Sequence, residues 1–360
     1  MMTSAHEQSC RQLRALALAA IAACLLTFPF MALAQGSVPS AEVKQVIENV
    51  RSTTDEAVIM RALTLGGALL RESRYAEAAA LFGALADKRP SDPAILYGAA
   101  LSTFNDQRVA ESESLAKRAV DAALDAAERP SAKVAEKERA SDALVLLAVV
   151  LAVRGDDAGA LKSARQAVQL APDNFDAQFT LGRALFGTGD DAAAAKAFRA
   201  AIALRPSNAQ ALFFLATTLE HGGEADQALA AYRELVSLQP GVAEGHLGLG
   251  VLLLKRSDAE AEEGIRELQK ALEINPDIYE ARVTLGRTLV MRGRAAEAIE
   301  HLRRAAELAP GNPEPHYQLA LAFKHLGRKD EADAESAIVK RIHESRRGSA
   351  QESAPPGPNH

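Results

Sequence analysis

The side chains that could do chemistry are few in kind. Past residue 34 the histidines are His221, His246, His301, His316, His325, His343 and His360. A transition-metal site needs several such ligands at converging helical or loop spacings. His316 and His325 stand nine apart, which fits no standard spacing. His246 and His316 fall where large packing residues recur, so partly buried packing roles are expected for them. Adjacent acids occur at Asp190-Asp191 and Glu262-Glu263. Acid–base catalysis needs two carboxyls facing each other across a cleft, whereas these pairs suit helix starts and solvated surface. No GxSxG, HExxH, GxxxxGK or GxGxxG occurs in a strand-to-helix setting, and no strands are expected. No catalytic residue, metal or cofactor is therefore expected.

What remains is binding chemistry, and it depends on the elements that carry it. Prolines stand at 172, 206, 240, 276 and 310, with gaps of 34, 34, 36 and 34 residues. A fixed period of this size marks stacked supersecondary units. Leu-Gly pairs at 65–66, 181–182, 249–250 and 285–286 keep the same phase, as do Leu147-Ala148, Leu215-Ala216 and Leu319-Ala320. Seven residues later comes Gly155, Gly189, Gly223, Gly293 or Gly327, with Ser73 in another unit. Glycine there can take the left-handed conformation that closes a first helix. Asp156, Asp190 and Glu224 follow and suit the start of a second helix. Ala78, Ala160, Ala194, Ala228, Ala298 and Ala332 recur twelve residues after the small residue of each pair. Small residues on both helices allow a close antiparallel approach. Phe82, Phe198, Tyr232 and Leu302 follow four later and fill the space towards the next unit, and proline ends the second helix.

This pattern resembles the tetratricopeptide repeat. Within 175–208 the motif positions are Leu181, Gly182, Leu185, Ala194, Phe198, Ala201 and Pro206. The resemblance covers 57–342 and implies an all-α, right-handed superhelical solenoid of about eight stacked antiparallel helix pairs. Two units depart from the pattern. Residues 93–126 carry Ala99, Ala100, Ser112 and Ala116 at motif positions, and 243–278 insert two residues near SDAEAEE and place Gly264 where alanine is usual. Residues 121–140 hold extra chain around Pro130. Two lengthened helices are expected there, as a tolerated insertion or as a divider of the array.

In this family the first helix of each pair lines the concave side. The inward positions carried over here are Tyr97, Phe104, Phe179, Arg183, Phe186, Phe213, Thr217, Leu247, Arg287 and Tyr317, with Leu101, Val145, Val149, Val251 and Val283 between them. They make a mostly apolar trough in which Arg183 and Arg287 could hold carboxylates of a partner. Alternatively, some of the rings pack between neighbouring first helices. Some family members grip a peptide C-terminus with Lys and Asn at such positions; Phe, Arg, Thr and Val stand there in this chain.

The ends complete the plan. Residues 1–34 begin with Arg11 and Arg14, continue as an alanine-rich apolar run and exit through Ala32-Leu33-Ala34. That is the layout of a secretory signal peptide cleaved after Ala34. An uncleaved anchor is the alternative, and Ile21-Ala22-Ala23-Cys24 resembles a lipoprotein box. Both cysteines, Cys10 and Cys24, lie in this segment, so cleavage after Ala34 removes thiol chemistry. Residues 35–56 are expected to form a linker and capping helix, and 343–360 a disordered tail. The net charge of −6 argues against nucleic acid as a partner. The expectation is a non-enzymatic protein- or peptide-binding scaffold of a bacterial envelope, periplasmic or secreted. It would touch a membrane only through an uncleaved leader or a lipidated Cys24. A structural spacer, or a glycan-binding or glycan-processing protein, is the alternative.

Overall fold

The computed structural model describes residues 39–129 and 131–352. The proposed leader, with Cys10 and Cys24, lies outside the described residues. Among those described there are seventeen helices and no strand. Two compact units divide the chain between Pro206 and Ser207.

The first unit opens with α1 (Ala41–Ser52) and continues with four helix pairs: α2 (Glu56–Arg71) with α3 (Tyr75–Lys88), α4 (Pro93–Asn105) with α5 (Val109–Ala127), α6 (Val134–Val153) with α7 (Asp157–Leu170), and α8 (Phe175–Thr188) with α9 (Asp191–Leu204). The second unit holds four more: α10 (Ala209–His221) with α11 (Ala225–Leu238), α12 (Ala243–Arg256) with α13 (Ala261–Ile274), α14 (Tyr279–Met291) with α15 (Ala295–Leu308), and α16 (Pro313–His325) with α17 (Lys329–Glu352). Pairs follow one another as the 34-residue period requires.

Local chemistry sets each boundary. Asp156 and Asp190 cap second helices by accepting the amides of Gly159 and Ala193, at 2.9 and 3.1 Å. Glu224 precedes α11 without a side-chain cap bond. Asn174 and Asn208 cap first helices in the same way. Gly189 closes α8 at φ 83°, and the same turn residue has positive φ in the four other glycine-bearing units. Ser73 and Gln107 adopt it too, at 58° and 64°, without glycine's freedom. Second helices stop two residues before Pro90, Pro172, Pro206, Pro240, Pro276 and Pro310, because the residue before a proline is kept out of the α region.

Packing between the paired helices explains the small residues. A Cβ added to Gly182 would lie 2.6 Å from the Phe198 ring, and one added to Gly286 would lie 2.5 Å from Leu302. Phe82 serves two neighbours: Cβ atoms at Gly66 and Gly98 would come within 2.8 and 2.4 Å of its ring. One large side chain thus fills the space of its own pair and of the next. Gly264 faces the backbone of Gly250, so the unusual glycine of the longer repeat meets the regular glycine of its Leu-Gly pair. Where Ser112 replaces alanine, its buried hydroxyl donates to the Ala100 carbonyl at 2.8 Å across the pair.

The extra residues of 121–140 lengthen two helices. α5 and α6 have 19 and 20 residues, against 14 for α7. They pack against each other inside one unit, so the stretch does not divide the array there. α17 runs to Glu352, so 343–352 are helical where a disordered tail was expected. The physical reason is that Pro355 is the first residue after Gly348 that strongly opposes a helix. Ser336, at the position of the large residue in other units, is exposed on this last helix.

Candidate protein-binding face

Residues spaced by three and four on a first helix share one face. The ten candidate residues lie on such faces, five in each unit. In the first unit, Tyr97 and Phe104 are half-buried on α4 and Arg183 is half-buried on α8. Phe179 and Phe186 are only 8% and 7% exposed. Phe179 stacks on Phe175 at 5.7 Å between ring centres and meets Phe198 at 5.8 Å. These two phenylalanines are therefore packing residues, which corrects the expectation that they line an accessible trough. The cause is local: Gly182 opens room for Phe198, and Phe175, one turn before Phe179, completes the aromatic cluster. Arg183 sits over the Phe179 ring at 6.0 Å.

In the second unit, Phe213 and Thr217 on α10 and Leu247 on α12 are half-buried. Phe213 meets Phe214 edge-on at 5.8 Å. The Thr217 hydroxyl donates to the Phe213 carbonyl and lies 3.3 Å from the Tyr232 hydroxyl. Arg287 on α14 is exposed, and Tyr317 on α16 is 51% exposed. Val251, Leu254 and Leu321 are partly buried beside them, while Val283 is buried.

Acidic residues at the second position of the first helices were missed in the sequence. Asp176, Glu244, Glu280 and Glu314 occupy that position in α8, α12, α14 and α16, and Asp142 takes the equivalent repeat position inside the lengthened α6. The signal was their recurrence three residues before the inward positions Val145, Phe179, Leu247, Val283 and Tyr317. In the first unit two of them change the character of the face. Burial, with Asp142 and Asp176 adding to it, pushes the Tyr97 hydroxyl up to about 12. Burial also pushes the Asp142 carboxyl up, against a hydrogen bond from Asn174 Nδ2 at 3.0 Å. In the second unit, Lys255 reaches across from α12 to Glu220 on α10 at 2.8 Å.

His246 and His316 occupy packing positions and also carry polar bonds that their positions alone did not predict. His246 is 4% exposed. Its ring nitrogens lie 2.6 Å from Glu267 Oε2 and 3.0 Å from the Pro240 carbonyl. His316 repeats the arrangement with Glu335 at 2.6 Å. These pairs join the first helix of a repeat to its second. Among the described residues no group of three or more His, Cys, Asp or Glu side chains is placed to hold a metal ion.

Comparison with known proteins gives a consistent result. A family model described as tetratricopeptide repeat matches residues 63–128, 179–243 and 222–265, and one described as TPR repeat matches 286–327. The structure of the C-terminal part of a TPR repeat-containing protein from Cytophaga hutchinsonii is similar at 17% identity and a TM-score of 0.53, over 71% of this chain and 99% of that one. Pseudomonas aeruginosa pilF is similar at 19% identity and a TM-score of 0.50, over 57% of this chain and 93% of that one. YrrB, described as a TPR protein with an unusual peptide-binding site, matches at 19% identity and a TM-score of 0.45, over 56% of this chain and 95% of that one. No functionally curated protein matches the sequence. At these identities the structural likenesses speak to the fold.

Proposed function

The chain belongs to the tetratricopeptide-repeat proteins, whose repeats mediate protein–protein interactions, and from that premise we propose that it is a non-catalytic scaffold that seats a segment of a partner protein on its first-helix faces. The observation that carries this reading is the row of apolar side chains those helices leave accessible. In the second unit the row runs through Phe213, Leu247, Val251, Leu254, Tyr317 and Leu321. An apolar row edged by charges suits a bound segment that buries side chains along the row and satisfies its polar groups at the rim. Arg287, exposed on α14, supplies a rim donor suited to a carboxylate.

The proposal extends to location. The basic start, apolar run and Ala32-Leu33-Ala34 exit support export, and with it a role in a bacterial envelope. Among the described residues no helix is long and apolar enough to cross a membrane.

The test uses protein beginning at residue 35 and a variant carrying Leu101→Asp, Arg287→Glu and Tyr317→Asp. Arg287 and Tyr317 are exposed while Leu101 packs against the core, so the variant's helical content and melting are measured beside capture, with the Arg287→Glu, Tyr317→Asp pair as the variant that keeps the core intact. A partner captured from envelope extracts by the parent chain and lost by the variant is the expected outcome. Equal capture by both would move binding to the ends or second helices, as a structural spacer would use them.

A further inference from the structure

The first-helix face of the N-terminal unit carries a charge signature that bears on what it binds. Its floor is apolar and half-buried: Leu63 on α2, Tyr97 and Leu101 on α4, Val145 and Val149 on α6. The helices α4, α6 and α8 pack side by side, so these residues, Asp142 within α6 and the start of α8 belong to one surface. At that edge stand Asp142 and Asp176, both close enough to act on the Tyr97 hydroxyl.

Asp142 is the informative residue. It accepts one hydrogen bond, from the Asn174 side chain at 3.0 Å. The charged groups that act on it, Asp176 and Glu138, are both acidic. Asp176 has an exposed contact with Arg205 at 3.6 Å, which leaves the spot with an excess of negative charge. A half-buried carboxylate among acids and apolar side chains is held in a poor environment for its charge. A cation brought by a partner would relieve it, and the contact would be stronger for being partly desolvated. The Tyr97 ring offers a second favourable surface to the same cation. A carboxylate-bearing segment would meet repulsion at this point.

We propose that the first-helix face of the N-terminal unit docks a partner segment in which lysine or arginine side chains alternate with large apolar ones, the cation seated against Asp142, Asp176 and Tyr97 and the apolar side chains on Leu101, Val145 and Val149. This rests on the docking role proposed above and adds the chemistry of the occupant. The acids set the sign of the partner, and the apolar floor supplies contact area.

The experiment measures fluorescence anisotropy of three labelled peptides of equal length against the chain from residue 35. One alternates Leu and Lys, one Leu and Glu, one Ser and Lys. Two variants are compared with the parent: Asp142→Asn with Asp176→Asn, and Leu101→Ser with Val149→Ser. Asparagine at 142 can still accept from Asn174, and the melting temperature of each variant checks its fold. The Leu–Lys peptide is expected to bind the parent most tightly and to weaken about tenfold in each variant, equal to about 1.4 kcal/mol. Equal binding of the Leu–Glu peptide, with loss only in the serine variant, overturns the charge inference and leaves the docking face standing. Leu–Lys binding lost in the asparagine variant but equal to Ser–Lys binding, and unchanged in the serine variant, overturns the apolar floor. Unchanged binding in both variants, or no saturable binding of any peptide, overturns both readings.

Discussion

Glycine decides the packing of single residues here, and it does so in two opposite ways. Gly182 and Gly187 lie on the same helix, α8. A methyl group at Gly182 would collide with the fully buried Phe198 ring, while one at Gly187 would meet nothing within 4 Å. Gly182→Ala is expected to lower stability by about 1–3 kcal/mol through overpacking. Gly187→Ala is expected to raise it by about 0.5–1 kcal/mol through helix propensity. Paired thermal or denaturant melts check this; equal effects would mean the Phe198 contact is not what fixes Gly182. The same scale shows where sequence reading stopped. The period located Gly182 and Phe198, but for Phe179 it left open whether the inward ring lines the trough or packs, and the structure shows packing. Burial there depends on Phe175 and Phe198 approaching from two other directions, which the period does not encode. The His246–Glu267 pair was hidden for a similar reason. Its members lie 21 residues apart on two helices, and only the closed pair brings them to 2.6 Å.

At the scale of the element, the helix boundaries were the most legible feature, because each is set by a local rule. Proline two residues past a second helix, Asp or Asn before many starts and a positive-φ turn between the paired helices all act within a few residues. The lengths of α5, α6 and α17 were less legible. A helix continues until something stops it, and the polar composition of 343–352 was mistaken for a stop. The attachment of α1 is a tertiary matter. Glu77 on α3 accepts the Ser40 amide at 2.9 Å and Arg74 Nε at 2.7 Å. The Arg74 bonds hold the Glu77 carboxyl down at about 2, against its burial and with help from Ser40. A lowered folded-state pKa contributes stability above the unfolded value, and that stability is lost as pH falls through the folded one. The α1 contact is therefore expected to be fully present above about pH 4.5 and to weaken towards about 2. Glu77→Gln should remove that acid dependence and cost about 1 kcal/mol, discounted for partial exposure. Hydrogen exchange of the α1 amides across this range checks it. Protection that is flat with pH in the parent chain would contradict the assignment.

At the scale of the whole molecule, the chain repeats its helix pair because one pair cannot bury an apolar face alone. Stacked neighbours bury it continuously, as Phe82 does between Gly66 and Gly98. That requirement made the fold class legible from a single sequence. Function was less so, since the residues left over after packing are those that the period does not constrain. Three of the accessible candidates, Tyr97, Arg287 and Tyr317, emerge from the same phase as the core. The acids Asp142 and Asp176 recur in the sequence, but their nearness to Tyr97 emerges only when neighbouring first helices are placed side by side. The central claim is that partner contact occurs on first helices. The measurement that tests it most directly is site-specific photocrosslinking in cells that make the full chain, with the crosslinker placed at Leu101 or Tyr317 on first helices, or at Leu238 on a second helix. Leu238 is 48% exposed, close to the 51% of Tyr317, so accessibility alone does not bias the comparison of these two. The account predicts a discrete protein adduct from Leu101 or Tyr317 and none from Leu238. An adduct from Leu238 alone would contradict it.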